Sequence, residues 1–151
     1  MCGRACCLGS SARGAGVVVL SGVVIGHRLR ERGGGELVAV AFEFHQYFDA
    51  DFSGTKAECA TSEGDTKLAD ATAWLKANNY RGFLGEFGGG NNAACQATIG
   101  RVLQYLETNK QWIGWTWWAA GPWWGNYFMS LERTTSGADV AQMSWLTPFL
   151  K

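Results

Sequence analysis

A carboxylate set among glycines is the first residue that suggests chemistry. Glu86 follows Phe83, Leu84 and Gly85 and precedes Phe87 and the run Gly88-Gly89-Gly90. A lone carboxylate at an apolar strand end is costly to bury unless paired, so its presence points to a role beyond stability. Glycines let a sugar approach the backbone, and a carboxylate there can reach an anomeric carbon as a nucleophile. Glu43, His45 and Tyr47 alternate along an earlier Phe/Val-rich segment; on a strand they share one face. Such side chains can hydrogen-bond a nucleophilic carboxylate and tune its ionisation. A core histidine bonded to a backbone carbonyl is the ordinary alternative. Six tryptophans fall between Trp112 and Trp124, more than packing alone requires. Flat indoles stack on the C–H faces of pyranose rings, so Trp118 is expected to form a sugar platform. Trp123 and Trp124, in the loop begun by Pro122, are expected beside it. Trp74 lies in a helical pattern and is expected in the core.

Three strand-like segments position these groups. They are LVAVAFEFHQYF, RGFLGEFGGG and QWIGWTWW, the last stopped by Gly121 and Pro122. The segment TSEGDTKLADATAWLKANN reads as a helix, with Thr61 or Ser62 as its cap and Leu68, Thr72 and Leu75 at helical spacing. In NNAACQATIGRVLQYLETNK, Cys95, Ile99, Val102, Leu103 and Leu106 form an amphipathic stripe. A last short helix is expected in ADVAQMSWL. This β-α-β-α-β order implies a parallel sheet with helices packed outside. Chemistry in such folds collects at the carboxyl ends of the strands, where His45, Tyr47, Glu86 and Trp118 fall.

Composition narrows the classes. The 151 residues carry 13 Lys+Arg and 13 Asp+Glu, with no net positive charge to displace counterions from a nucleic acid. No apolar stretch approaches the roughly 20 residues that span a bilayer, and a chain 47% hydrophobic and 17% charged is not disordered by composition. All 20 aromatic residues lie between Phe42 and Phe149. Residues 1–37 instead form a Gly/Arg-rich leader, with Arg4, Arg13, Arg28, Arg30 and Arg32 against Glu31 and Glu36. Its run AGVVVLSGVVIG fits a signal-like stretch, an extra strand, or a segment foreign to the rest of the fold. Cys2, Cys6 and Cys7 lack the further ligands a zinc site needs; Cys59 and Cys95 can pair with each other.

The segments FEFHQYFDADFSGTKAEC, NNYRGFLGEFGGGNNAAC and WIGWTWWAAGPWWGNYF resemble the C-terminal half of a glycoside hydrolase family 5 endoglucanase of the fungal type. The likeness covers residues 38–150 and divides the chain into the leader, 1–37, and a partial catalytic domain, 38–151. It implies an α/β fold, a partial (β/α)8 barrel holding about strands six to eight with their helices, the N-terminal half missing. The implied activity is retaining hydrolysis of internal β-1,4-glucosidic bonds in cellulose or a related β-glucan, without cofactor or metal. Glu86 would be the nucleophile, His45 and Tyr47 the pair around it, and Trp118 the platform. Cys59 and Cys95 match positions that are disulfide-bonded in similar enzymes, which implies secretion. A retaining mechanism needs two carboxyl groups about 5–5.5 Å apart, and the family's acid/base glutamate has no counterpart here. The expectation is therefore a chain completed by a homo-oligomer or by a missing barrel half. The alternatives are a non-catalytic glucan binder or inactive fragment, and an incomplete gene product with no independent role.

Overall fold

In a computed structural model, residues 19–21, 27–30, 36–39, 41–60 and 63–150 are described, the first three segments as backbone only. The thiols of Cys2, Cys6 and Cys7, the caps expected at Thr61 or Ser62, and most of the leader lie outside the described residues. The first elements are β1 (Val19–Ser21), β2 (His27–Arg30), β3 (Glu36–Ala39) and β4 (Ala41–His45). After them come α1 (Gly64–Lys67), α2 (Ala69–Ala77), β5 (Arg81–Phe87), α3 (Ala93–Thr108), β6 (Trp112–Trp117) and α4 (Ala141–Leu146). Short 3-10 turns occupy Pro122–Trp124 and Thr147–Phe149.

The main sheet has the order β1-β4-β5-β6. Strands β4, β5 and β6 run parallel, as the alternation of strand and helix patterns requires. β1 lies antiparallel along the outer side of β4, with Val19 opposite His45. β2 and β3 form a separate antiparallel pair. The single strand expected over LVAVAFEFHQYF is therefore two strands: Glu36–Ala39 pairs with β2, and only Ala41–His45 enters the main sheet. An unbroken apolar run carries no mark of where the chain changes partner. Tyr47 consequently lies past the end of β4 rather than on it.

The helices follow their apolar spacing. α3 buries Cys95, Ile99, Val102, Leu103 and Leu106, the stripe read from the sequence. Its start is capped by Asn92, whose side chain accepts the Cys95 N–H at 2.9 Å. The preceding helical segment is divided at Leu68 into α1 and α2, and it buries Leu68, Thr72 and Leu75. α2 ends at Asn78, and Asn79 follows in the left-handed region at φ 54°, a conformation asparagine tolerates. These faces close over Phe44, Leu84, Phe87 and Trp112 from the strands, with Trp145 and Leu146 of α4 completing the core. Trp74 departs from expectation. It is 40% exposed, set edge-on to Phe42 and tilted against Tyr80 at the surface.

Leu103 is fully buried. Leu103→Ala should lower unfolding free energy by about 3 kcal/mol, measured by urea denaturation. Gln96→Ala on the exposed side of the same helix should change it by less than about 0.5 kcal/mol. Equal effects would mean that α3 does not pack through the stripe described.

Candidate active site at the strand ends

A single extra residue in β5 builds the centre of the site. Phe44 stands opposite Leu84, but the next residue of β4, His45, stands opposite Glu86. Against β6, Leu84 pairs with Trp115 and Phe87 with Trp117, so three steps along β5 match two along β6. Gly85 is the residue in excess, a bulge relative to both neighbours. Strict alternation would put Glu86 on the same side as Leu84, into the helix-covered core. The bulge turns Glu86 to the other side, and Leu84 and Phe87 both stay buried. The displaced Gly85 carbonyl is satisfied by the Thr116 hydroxyl, which donates to it at 2.6 Å.

Glu86, whose side chain is 20% exposed, meets the two residues expected around it. The Tyr47 hydroxyl donates a short hydrogen bond to Glu86 Oε1, and Glu86 Oε2 lies 3.2 Å from His45 Nδ1. His45 Nε2 is in turn 3.3 Å from Glu43 Oε1. Burial pushes the Tyr47 phenol far above its ordinary value, and the bond to Glu86 and its charge push the same way. Tyr47 thus stays neutral and can only donate to Glu86. Each carboxylate oxygen has two lone pairs, so one contact on each oxygen leaves Glu86 electron pairs free to attack.

Asp49 supports this arrangement from the loop after β4. It is buried and accepts from the Gly54, Thr55 and Lys56 N–H groups and the Ser53 hydroxyl at 3.0–3.2 Å. The loop it closes presses Gly54, at φ 70°, against the Tyr47 ring; a Cβ there would come within 2.7 Å of ring carbons. At the loop's far end, Cys59 is disulfide-bonded to Cys95, S–S 2.08 Å. Gln142 of α4 donates to the Phe128 carbonyl at 3.1 Å and reaches that of Gly89 at 3.5 Å. The glycine turn after Glu86 is thereby tied to the segment after β6.

The tryptophans divide. Trp112 is buried, its indole N–H on the Thr72 hydroxyl. Trp115 and Trp117 pack edge-on against Phe87. Trp118 leaves the strand end, its N–H on the Phe87 carbonyl at 2.9 Å, and its ring meets Trp124 at 5.0 Å. Trp124 leads on to Tyr127 at 5.3 Å, and Trp123 is 92% exposed. Tyr127 is itself near the carboxylate. Burial first, then the charge of Glu86, raises its phenol above the ordinary value. Sequence reasoning missed Tyr127, which sits in a stretch without periodicity. It missed Asp49 as well, although the Asp-x-x-x-Ser-Gly-Thr pattern is a turn signature.

Among the described residues, no group of three or more His, Cys, Asp or Glu is placed to hold a metal. None of the described helices is long and apolar enough to cross a membrane. The raised Tyr47 value has a measurable consequence. The neutral phenol favours the fold fully below the unfolded value of about 10, and this contribution is lost as pH rises from there through the higher folded value. Subtracting the tyrosinate absorbance titration of Tyr47→Phe from that of the native chain should leave no step near pH 10. A step there would mean that Tyr47 is not held by Glu86.

Residues 38–121 match the family Cellulase (glycosyl hydrolase family 5). A probable endo-beta-1,4-glucanase B of Neosartorya fischeri is 44% identical over 113 residues, 74% of this chain and 34% of that protein. An endoglucanase gh5-1 of Neurospora crassa is 50% identical over 95 residues, 62% of this chain and 24% of that protein. The solved structure of XacCel5A in complex with cellopentaose superimposes with a TM-score of 0.70 at 44% identity, covering 73% of this chain and 36% of that one. The chain spans about a third of the length of these relatives or less. Helices over a small parallel sheet fit these structures, and the chain is a member of glycosyl hydrolase family 5, the cellulases.

Proposed function

We propose that this chain supplies the nucleophile side of an endo-β-1,4-glucanase that acts with retention of configuration. The observation that carries the reading is Glu86, turned out of the core by the β5 bulge and held by Tyr47 and His45. In this reading a Glu86 oxygen attacks the anomeric carbon while an acid protonates the departing glycosidic oxygen. Water then hydrolyses the glycosyl ester, giving its proton to the same acid/base. The Tyr47 and His45 contacts fix the direction from which Glu86 approaches. Trp118, Trp124 and the exposed Trp123 offer aromatic faces to the glucan. β4, β5 and β6 correspond to about strands six to eight of a (β/α)8 barrel. The cellopentaose complex of XacCel5A supports a β-1,4-linked glucan as substrate.

The second carboxyl comes, in this reading, from outside the described residues: from a second copy of the chain or another part of a barrel. β6 supports this, because it ends the sheet with Ile113 half exposed, and an open edge and uncovered apolar surface favour association. The Cys59–Cys95 bridge supports an oxidising, extracellular location, and of the readings of residues 1–37 the pairing of β1 with β4 favours an extra strand. A second reading, a glucan-binding chain without turnover, is favoured by the engagement of Glu43 with His45. That engagement removes the acidic side chain nearest along the strand from service as the acid.

Reducing-sugar release from carboxymethyl cellulose tests the nucleophile. Glu86→Gln should lower the rate at least about 1000-fold, the scale of losing a group that forms the covalent intermediate. Equal rates in both proteins would remove the assignment. Cello-oligosaccharides should quench tryptophan fluorescence, and Trp118→Ala should abolish most of that quenching; undiminished quenching would rule out this platform. Light scattering on the purified chain should give an oligomer, and a compact monomer at high concentration would oppose the association.

A further inference from the structure

Glu43 has a contact that the proposed reaction does not use. Its Oε1 lies 3.3 Å from His45 Nε2, while His45 Nδ1 lies 3.2 Å from Glu86 Oε2. The imidazole therefore bridges two carboxylates, one from its own strand and one from β5. Gly85, the bulge residue, makes room for this. A Cβ at that position would collide with the Glu43 carboxyl group, reaching its Cγ and Cδ at 2.6 Å. The residue that turns Glu86 toward His45 thus also seats Glu43 on the ring's other nitrogen.

The side chain of Glu43 is only 22% exposed, and a carboxylate so enclosed is costly unless it is hydrogen-bonded. An ionised carboxylate only accepts, so Glu43 is satisfied only if Nε2 carries a proton. A neutral ring has only one N–H, so it would turn a lone pair toward either Glu43 or Glu86; a ring with a hydrogen on each nitrogen donates to both. Among the described residues, no other group bonds His45 Nε2. On β1, which pairs with β4, Val19, Leu20 and Ser21 carry no charge, and the β6 segment WIGWTW carries none. Tyr47 acts on Glu86 rather than on the imidazole, and Tyr127 is sensed through Glu86.

We propose that Glu43 is a positioning residue: as the acceptor at Nε2 it holds His45 as a donor from both ring nitrogens, with Nδ1–H directed at Glu86. The proposal rests on the reading of Glu86 as nucleophile only for its consequence in catalysis. The contact itself is tested without turnover.

His27 and His45 are the only histidines of the chain, so ring-15N-labelled protein on a His27→Gln background reports His45 alone. The spectrum should show a proton on each ring nitrogen; an unprotonated Nε2 or Nδ1 overturns the proposal even if no variant folds. Glu43→Leu and Glu43→Gln should each weaken or remove the Nε2 proton signal and leave Nδ1 protonated toward Glu86. Glu86→Gln should disturb Nδ1 first. A Nε2 signal unchanged in both Glu43 variants, with the fold intact by circular dichroism, also overturns it. In the hydrolysis assay Glu43→Gln should lower kcat about 10–100-fold, the range for partners that orient a functional ligand, with KM within about twofold. Glu43→Asp should recover part of that loss. A Glu86→Gln protein as active as the native chain would defeat the nucleophile reading, while the Nε2 spectrum would still decide the role of Glu43.

Discussion

The position of Glu86 depends on one irregularity of hydrogen bonding, the residue that β5 carries in excess of both neighbours between Leu84 and Phe87. A regular strand there would face a conflict. Leu84 and Phe87 are both fully buried under the helices, yet they are three residues apart, which period-two alternation cannot satisfy. The bulge resolves it, and its by-product is a carboxylate on the opposite side of the sheet, level with His45. Gly85 suits the place because Glu43 occupies the space a side chain would need, and Thr116 takes up the carbonyl that the ladder leaves over.

Around that point, the supports come from distant parts of the chain. Asp49 gathers the loop after β4 through bonds to a charged acceptor, each of the kind worth about 1.5–3 kcal/mol, and so backs Tyr47 with Gly54. The Cys59–Cys95 bridge joins the end of that loop to the first turn of α3. Gln142 links α4 to the turn beyond Glu86 and to the segment carrying Tyr127. Each tie reduces the freedom of a group touching Glu86 or Tyr47. Such pre-organisation is what the proposed nucleophile would need, because positional error is costly in rate.

The same architecture explains why the aromatic residues fall into two populations. Trp112, Trp115 and Trp117 are strand residues and serve packing through Thr72 and Phe87. Trp118, Trp123 and Trp124 lie beyond the strand, where Trp118 meets Trp124 and Trp124 meets Tyr127.

Much of this was legible in the residues themselves. The stripe of α3, the strands at Arg81–Phe87 and Trp112–Trp117 and the short final helix follow from local spacing. Local spacing is a property of neighbours in the chain, and the chain carries it complete. What the sequence did not contain was register. The change of partner between β3 and β4, the placement of Tyr47 beyond its strand, the exposure of Trp74 and the approach of Tyr127 to Glu86 all involve residues brought together across the fold. Glycine at position 85 permits a bulge without announcing one. Only packing Leu84 and Phe87 into one core, between two strands of fixed pitch, forces the extra residue outward and decides which way Glu86 faces.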